Sequence, residues 1–431
     1  MEELEEQIKE LRQQNERFEA LVIAQAQMIE KLQAQLAQNS TNSHKPPSSD
    51  PPKTRSQRRR RKSTGRKSGG QKGHKGSTRS MLPVDEVDHI VACIPTHCDA
   101  CDKPLSGTDD QPRLHQVWQI PPIEVEVTQF EQHSLVCSCG CKTIGQLPDG
   151  ITHSSFGPNI HAIHAWLRLD MRASIQRTKT FFEQIMGLKI SHGALCAMDA
   201  RMAGKMKPAH EQLGKALKQA SVKHCDETTW YLDGQRQTIW AACTNQLSYM
   251  LITDKRDQLS CKTLIGEQVK GTVVTDRYCA YHYIDNEQRQ MCWAHLLRDF
   301  ESMAQSKDPQ VSGDGWMLAD YAKQMLKEYA RSRDGTNEQK EQFVTKWKGK
   351  SKVIKSFLRA VGQNGCKHGG MAREILKYED CLWTFLSKED VEPTNNLAER
   401  TLRHAVTMRK TSYGSRSEVG LRFIERGMSI R

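Results

Sequence analysis

Val222-Lys223-His224-Cys225-Asp226-Glu227-Thr228-Thr229-Trp230-Tyr231-Leu232 is the stretch whose reading decides the fold. β-Branched and aromatic residues dominate it and Asp233-Gly234 closes it, so it predicts a strand running into a hairpin turn. Two acids sit in its middle, where a purely structural strand would carry Val or Ile. Thr238 to Cys243 and Ser248 to Thr253 read as the next two strands, with a turn at Asn245-Gln246. After a short helical segment, Gly271 to Asp276 reads as a fourth strand that again ends in an acid. Met291 to Met303 then reads as a helix carrying Cys292-Trp293-Ala294-His295.

A three-stranded meander followed by alternating helix and strand is the order expected of a ribonuclease H-like sheet. It would put Asp226 and Asp276 on adjacent strands. A third acid, Glu399, lies in Thr394-Asn395-Asn396-Leu397-Ala398-Glu399-Arg400, where a basic helix begins. Glu399 and Arg403 are four apart on one face of that helix, and Arg409 and Lys410 follow near the Gly414-Ser415 turn. Phosphodiester transfer uses two divalent ions about 4 Å apart, and carboxylates are the ligands that Mg2+ accepts. Asp226, Asp276 and Glu399 are therefore the candidate ligands, with neighbouring arginines as candidate phosphate contacts. Each acid also has a plainer reading: Asp226 a surface acid, Asp276 a helix cap, Glu399 the end of an Asn396-x-x-Glu399 capping box.

The charge of the whole chain points the same way. The 431 residues carry a formal charge of +12. Residues 53–79 hold twelve Lys or Arg and no acid, and the stretch from Arg400 onward holds eight bases and two acids. The body between is near neutral. Positive flanks on a neutral body suggest a polyanionic partner, and Arg58, Arg59, Arg60, Arg61, Lys62, Arg66 and Lys67 are its candidate contacts. A merely solvated tail is the plainer reading of the same run. No apolar run reaches the ~18 residues of a membrane helix, so no membrane partner is expected. Fourteen cysteines in a chain of cytosolic character point to metal or free thiols rather than disulfides.

The fold class expected is multidomain α+β, in five parts. Residues 1–38 form a coiled coil: Leu4, Leu11, Phe18 and Leu32 share one heptad position, with Gln25 in the gap, and Ile8, Asn15, Val22, Ile29 and Leu36 share the other. Asn15 in the seam favours a homodimer. Residues 39–80 form a linker and basic arm. Residues 81–150 form a small β module with strand-like sequence at Ile123 to Phe130. Its knuckle Cys98-Asp99-Ala100-Cys101 and its cluster Cys137-Ser138-Cys139-Gly140-Cys141 offer four thiolates for a closed, structural Zn2+; which two of Cys137, Cys139 and Cys141 serve stays open. Residues 151–220 read as helices from Ile160 to Leu169, from Arg177 to Met186, and from a Ser191 cap to about Met202. Helix, Gly187 turn and helix resemble a helix-turn-helix, a pattern any helical bundle also gives. Residues 221–431 form the catalytic domain, with a helical insert at about 305–390.

These residues resemble the transposases of the insertion sequence sixty-six family, a branch of the DDE transposases, over nearly the whole chain. Gly69-Gly70-Gln71-Lys72-Gly73-His74-Lys75-Gly76 is similar to the family's glycine and histidine motif, and Cys98 to Cys141 to its zinc-binding domain. Asp226-Glu227-Thr228, then Val274-Thr275-Asp276 with Tyr281, then Asn395-Asn396-Leu397-Ala398-Glu399-Arg400 match the three catalytic motifs, and Cys292-Trp293-Ala294-His295 matches the helix behind the second. Thr394 stands where the family carries Asp, and the second cysteine cluster is shifted from Cys-x2-Cys. The chain also stops soon after Gly420 to Arg426, short of the family pattern. The resemblance implies Asp226, Asp276 and Glu399 as ligands of two Mg2+ (or Mn2+) ions, and His295, Arg400 and Arg403 as supporting or phosphate-contacting groups. It implies DNA, both element ends and target, as partner, and accessory proteins from the same element. A cytoplasmic, nucleoid-associated protein is expected. The alternatives are a DNA-binding regulator, a truncated copy without catalysis, or a nuclease that cuts without joining.

Overall fold

A computed structural model of the chain describes residues 69–71, 73–76, 79–151 and 154–431, with helical positions 12, 15, 18, 19, 22–26, 28, 29, 32, 33 and 36. Two compact units emerge: residues 53–125, and residues 1–52 together with 126–431. Arg58 to Arg61, Lys62, Arg66 and Lys67 lie outside the described residues, as do Leu4, Ile8 and Leu11 of the heptad pattern. The described heptad residues Asn15, Phe18, Val22, Gln25, Ile29, Leu32 and Leu36 are all helical and exposed.

In the unit of residues 53–125, described residues are almost wholly exposed, Ile90, Ile94, Val117 and Ile120 among them. Leu82 and Gln116 exchange two hydrogen bonds, of 2.8 and 2.9 Å. The Arg79 guanidinium lies 4.5 Å over the Trp118 ring. The strand expected at Ile123 to Phe130 is absent: those residues form no regular secondary structure. A lone alternating segment has no second strand or core on which to bury its apolar face. The cysteine region holds instead a short hairpin of β1 (Ser134–Val136) and β2 (Lys142–Ile144) in the other unit.

The centre of the larger unit is a five-stranded sheet. β3 (Val222–Leu232), β4 (Gln235–Cys243) and β5 (Ser248–Thr253) form the antiparallel meander; β6 (Thr272–Thr275) and β7 (Arg289–Met291) continue it in parallel, in the order β5-β4-β3-β6-β7. Asp233 and Gly234 both have positive φ, 45° and 79°, which suits the right-handed twist of a two-residue hairpin. β6 is buried throughout, as a central parallel strand should be. Gly271 leads into it at φ 69°, where a Cβ would stand 2.2 Å from the Ser221 carbonyl oxygen, so only glycine fits. β7 was not expected from the sequence. Arg289 and Gln290 disguise it, yet both are fully buried. They are held locally: Arg289 Nε donates to Thr275 Oγ1 and Gln290 Nε2 to the Met291 carbonyl, while Arg289 Nη1 is buried without a hydrogen bond.

Helices cover both faces and one edge. α1 (Pro158–Leu169), α2 (Ile175–Ile185) and α3 (His192–Gln219) precede the sheet, and α4 (Gln258–Ile265) joins β5 to β6. Ser174 and Ser191 cap α2 and α3 by accepting from backbone amides three residues on. α3 was expected to end near Met202 but runs on through Pro208 to Gln219. Its second half has a face to bury: Gly214 packs on Tyr249, and His210 Nε2 bonds the Met250 carbonyl at 2.9 Å. α5 (Trp293–Ala304) precedes the expected insert, which is made of α6 (Pro309–Arg333), α7 (Asn337–Gly362) and α8 (Lys367–Lys377); together they pack around Phe300, Met325, Trp347 and Leu358. α9 (Asn396–Ser412) lies along β3 and β4.

α10 (Glu418–Ile430) is a helix the sequence reading did not contain. It buries Leu421, Phe423, Ile424 and Met428 against α3 and β5. It also covers the sheet's edge: Ile252 N donates to Glu425 Oε2 at 2.7 Å and Met250 N to Ser429 Oγ at 2.9 Å. Both amides would otherwise be open positions of an edge strand. Arg426 reaches the Ala203 carbonyl, and Gly427 lies against Leu169. α10 thus ties α1 and α3 to the sheet.

Candidate active site

Parallel pairing of β3 with β6 sets His224 opposite Val274. Two residues further along each strand come Asp226 and Asp276. Asp226 lies within β3 and Asp276 directly after β6, on neighbouring strands. Glu227 N donates to Asp226 Oδ1 and Tyr278 N to Asp276 Oδ1, both at 2.9 Å, so each acid is oriented by its own following turn or strand. From the other side Arg289 donates to the Asp276 carbonyl at 2.7 Å.

Glu399 arrives from far along the sequence. The N-terminus of α9 is pinned beside β3 by Asn395, which is fully buried. Its Nδ2 donates to the Cys225 carbonyl at 2.6 Å, and its backbone N to Cys292 Sγ at 3.1 Å. That anchors the helix next to Asp226 and leaves Glu399, one turn on, facing α5. The capping-box reading of Asn396 and Glu399 is not what forms: the cap position is Asn395, whose side chain makes no cap bond. Glu399 Oε1 lies 3.6 Å from Arg298 Nη2 and 3.8 Å from His295 Nε2, while Arg403 is exposed.

The three acids influence one another electrostatically. Burial pushes the Asp226 carboxyl well above the ordinary carboxylate range, and the charges of Glu227, Asp276 and Glu399 add to the push. Glu227 is raised to about 7 by burial and by Asp276. Beside them His224 is lowered to about 4 by burial and by Arg400, so it is neutral at ordinary pH. Arg256 pairs with Glu227 and Arg298 with Glu399, and Glu399 Oε1 is buried without a hydrogen bond. The donor type and charge fit a hard divalent cation. The spacing as placed does not yet close on one: among the described residues no group of three His, Cys, Asp or Glu stands within metal-holding range.

The remaining candidates separate. Arg400, Arg403 and Lys410 are exposed on α9. Arg409 is half-buried, and its guanidinium donates to Thr228 Oγ1 and the Thr229 carbonyl, so it ties α9 to β3. Cys98 and Cys101 sit in one tight turn, where backbone amides of Ala100 and Cys101 lower the Cys98 thiol. In the β1–β2 turn the Cys137 thiol is lowered by the amide and thiol of Cys139, not by Cys141. Cys98 and Cys101 belong to the unit of residues 53–125, and Cys137, Cys139 and Cys141 to the other. Sequence reasoning missed Arg298, Asn395 and Glu227. Arg298 was findable, because it lies three residues after His295 on the same helix face.

Carboxylates within β3 and just after its parallel neighbour β6, with guanidinium groups nearby, make a class of site that can take divalent cations and phosphates. The chain belongs to the Transposase IS66 family, whose model matches residues 153–422 and so takes in all three acids. Residues 1–80 match a second family model, a family of unknown function named DUF6444. No curated protein matches the chain. No described helix is long and apolar enough to cross a membrane.

Proposed function

We propose that the protein is a DNA transposase that cuts element ends and joins their 3′-hydroxyls to target DNA. The observation that carries this is the match to a transposase family over residues 153–422, a span that contains Asp226, Asp276 and Glu399. The sheet order, β5-β4-β3-β6-β7 with β6 and β7 parallel to β3, supports a ribonuclease H-like core.

Asp226, Asp276 and Glu399 would hold two Mg2+ (or Mn2+) ions. When bound, such ions supply charge stabilisation at phosphorus and lower the pKa of a nucleophilic hydroxyl. In the cutting step the oxygen of water forms a bond to phosphorus and the bond to the 3′-oxygen breaks, freeing a 3′-hydroxyl. In the joining step that 3′-oxygen attacks a target phosphodiester and displaces the target's own 3′-oxygen. No covalent bond to the protein forms. The chain's own contribution is to place its three acids, through Asn395 and the β3–β6 register, and to steer Glu399 with His295 and Arg298. Arg400, Arg403 and Lys410, with the arm from Arg58 to Lys67, meet phosphates. The two cysteine turns would close on a structural Zn2+. The exposed stripe of Phe18, Val22, Ile29, Leu32 and Leu36 would pair two chains in a coiled coil. α1 to α3 would add DNA contacts, and proteins of the same element would assist. Action in the cytoplasm on the nucleoid follows from that substrate.

The test is a cleavage and strand-transfer assay on the element's own end DNA with Mg2+, using the unaltered chain beside Asp276→Ala. Joined products that vanish in the variant are expected. DNA binding without cleavage in both proteins would replace this reading with that of a DNA-binding regulator, which the open spacing of the acids would also suit.

A further inference from the structure

We propose that Glu227 is a positioning residue for the second acid: with Arg256 and Tyr281 it clamps the turn that carries Asp276 and holds it opposite Asp226. The inference rests on reading Asp226, Asp276 and Glu399 as metal ligands, and goes beyond it by assigning a task to a fourth carboxylate.

Successive side chains leave a strand on opposite faces, so Glu227 cannot duplicate the direction of Asp226. Its side chain is 1% exposed, and a carboxylate so enclosed is expensive unless fully paired. Both oxygens are engaged. Oε1 accepts from Arg256 Nε at 3.1 Å and Nη2 at 2.5 Å, and Oε2 accepts from Tyr281 Oη at 2.6 Å. The clamp then closes on the catalytic turn. Arg256 lies 3.8 Å over the Tyr278 ring, and its carbonyl accepts from Tyr278 Oη at 2.5 Å. Tyr278 N in turn donates to Asp276 Oδ1. Tyr278 and Tyr281 frame the single 3-10 turn Cys279–Tyr281, so the two tyrosines move with Asp276 as one piece. On the opposite side Arg289 holds Thr275 Oγ1 and the Asp276 carbonyl. Thr or Val at position 227 would build the strand as well; a charged group there is explained by what it grips.

Outer partners of metal ligands typically contribute ~10–100-fold to metal affinity. The experiment measures Mn2+ binding to the full chain by electron paramagnetic resonance, with thermal melting alongside. The variants are Glu227→Gln, Glu227→Asp, Tyr281→Phe and Asp226→Ala. Glu227→Gln is expected to weaken Mn2+ binding by ~10–100-fold while its melting temperature stays near that of the unaltered chain. Glu227→Asp, too short to span both partners, should not restore it. Tyr281→Phe, which removes one bond, should give a smaller loss in the same direction and serves if Glu227→Gln fails to fold. Mn2+ affinity unchanged in both Glu227→Gln and Tyr281→Phe, but lost in Asp226→Ala, would overturn the clamp and leave the triad standing. Binding that survives Asp226→Ala, or no binding to the unaltered chain, would overturn both.

Discussion

Asp226 and Asp276 stand level with one another on neighbouring parallel strands, each two residues beyond the paired positions His224 and Val274. A register shift of one residue would turn one of them to the opposite face of the sheet. The meeting of the two acids is therefore a property of the β3–β6 register, which Gly271 and the tight approach to Ser221 help to set.

Like charges so placed raise the free energy of the metal-free fold. Asp226→Asn removes one of them from the crowd with Glu227, Asp276 and Glu399. It is expected to abolish cleavage and joining while stabilising the metal-free protein by about 1 kcal/mol, a rise of ~1–2 °C in melting temperature. A calorimetric scan in chelator checks it; a lower melting temperature would mean Asp226 holds the fold in its own right.

The same crowding sets a pH dependence. Glu227 titrates at about 7 in the folded chain against an ordinary value of 4.5, and Asp226 is shifted in the same direction. Between those values the folded chain holds protons that the unfolded chain has released. Stability from these groups is complete below the ordinary carboxylate value and is lost as pH rises through the raised one. Metal-free melts taken from pH 4.5 up to 7 should fall by on the order of 2 kcal/mol more in the unaltered chain than in Glu227→Gln. Equal slopes in the two proteins would assign the loss to other groups.

Glu425 is 3% exposed and shared between Ile252 N and Arg422. Glu425→Ala leaves an edge-strand amide without its acceptor and uncovers β5. The expected loss is about 1–3 kcal/mol, with a rise in aggregation measured by light scattering. A soluble variant with unchanged melting would show that water replaces the carboxylate.

Gly315 lets α6 cross α5 closely: a Cβ there would stand 2.4 Å from Ala304 N. Gly315→Ala should push the insert off α5 and destabilise by about 1–3 kcal/mol. Since α5 carries His295 and Arg298 toward Glu399, strand transfer should drop as well. Urea denaturation and the joining assay read the two effects; stability lost without any change in joining would uncouple the insert from the site.

Residues 53–79 bring twelve bases and no acid. Each phosphate they neutralise adds ~0.9 to the slope of log affinity against log salt. Deleting them should lower that slope by several units on any DNA sequence, as measured by fluorescence anisotropy. An unchanged slope would leave the run as a solvated tail.

Much of the secondary structure around the candidate site was legible in the chain because its signals are local. β3 was readable from its β-branched and aromatic content, its turn from Asp233-Gly234, and the insert from helical periodicity between Asp276 and Glu399. β7 was not, because Arg289 and Gln290 look like surface residues until Thr275, Asp276 and the loop at Leu382 and Phe385 supply their partners. α10 was missed for a related reason. Its charges, Arg422 and Glu425, read as solvent-facing, yet Glu425 is buried because an edge strand needs its oxygen.

The sequence by itself determined which acids are candidates, which strand carries the first, the basic flanks and the family resemblance. All of these depend on residue identity and short spacing, which the chain carries directly. Only the tertiary structure decided that Asp226 and Asp276 stand level, that Asn395 delivers Glu399 to them, that Arg409 is tied to β3, and that Glu227 is gripped on both oxygens. Those facts depend on contacts between residues roughly fifty to two hundred positions apart, set by strand register and helix packing. Local propensity carries no information about either.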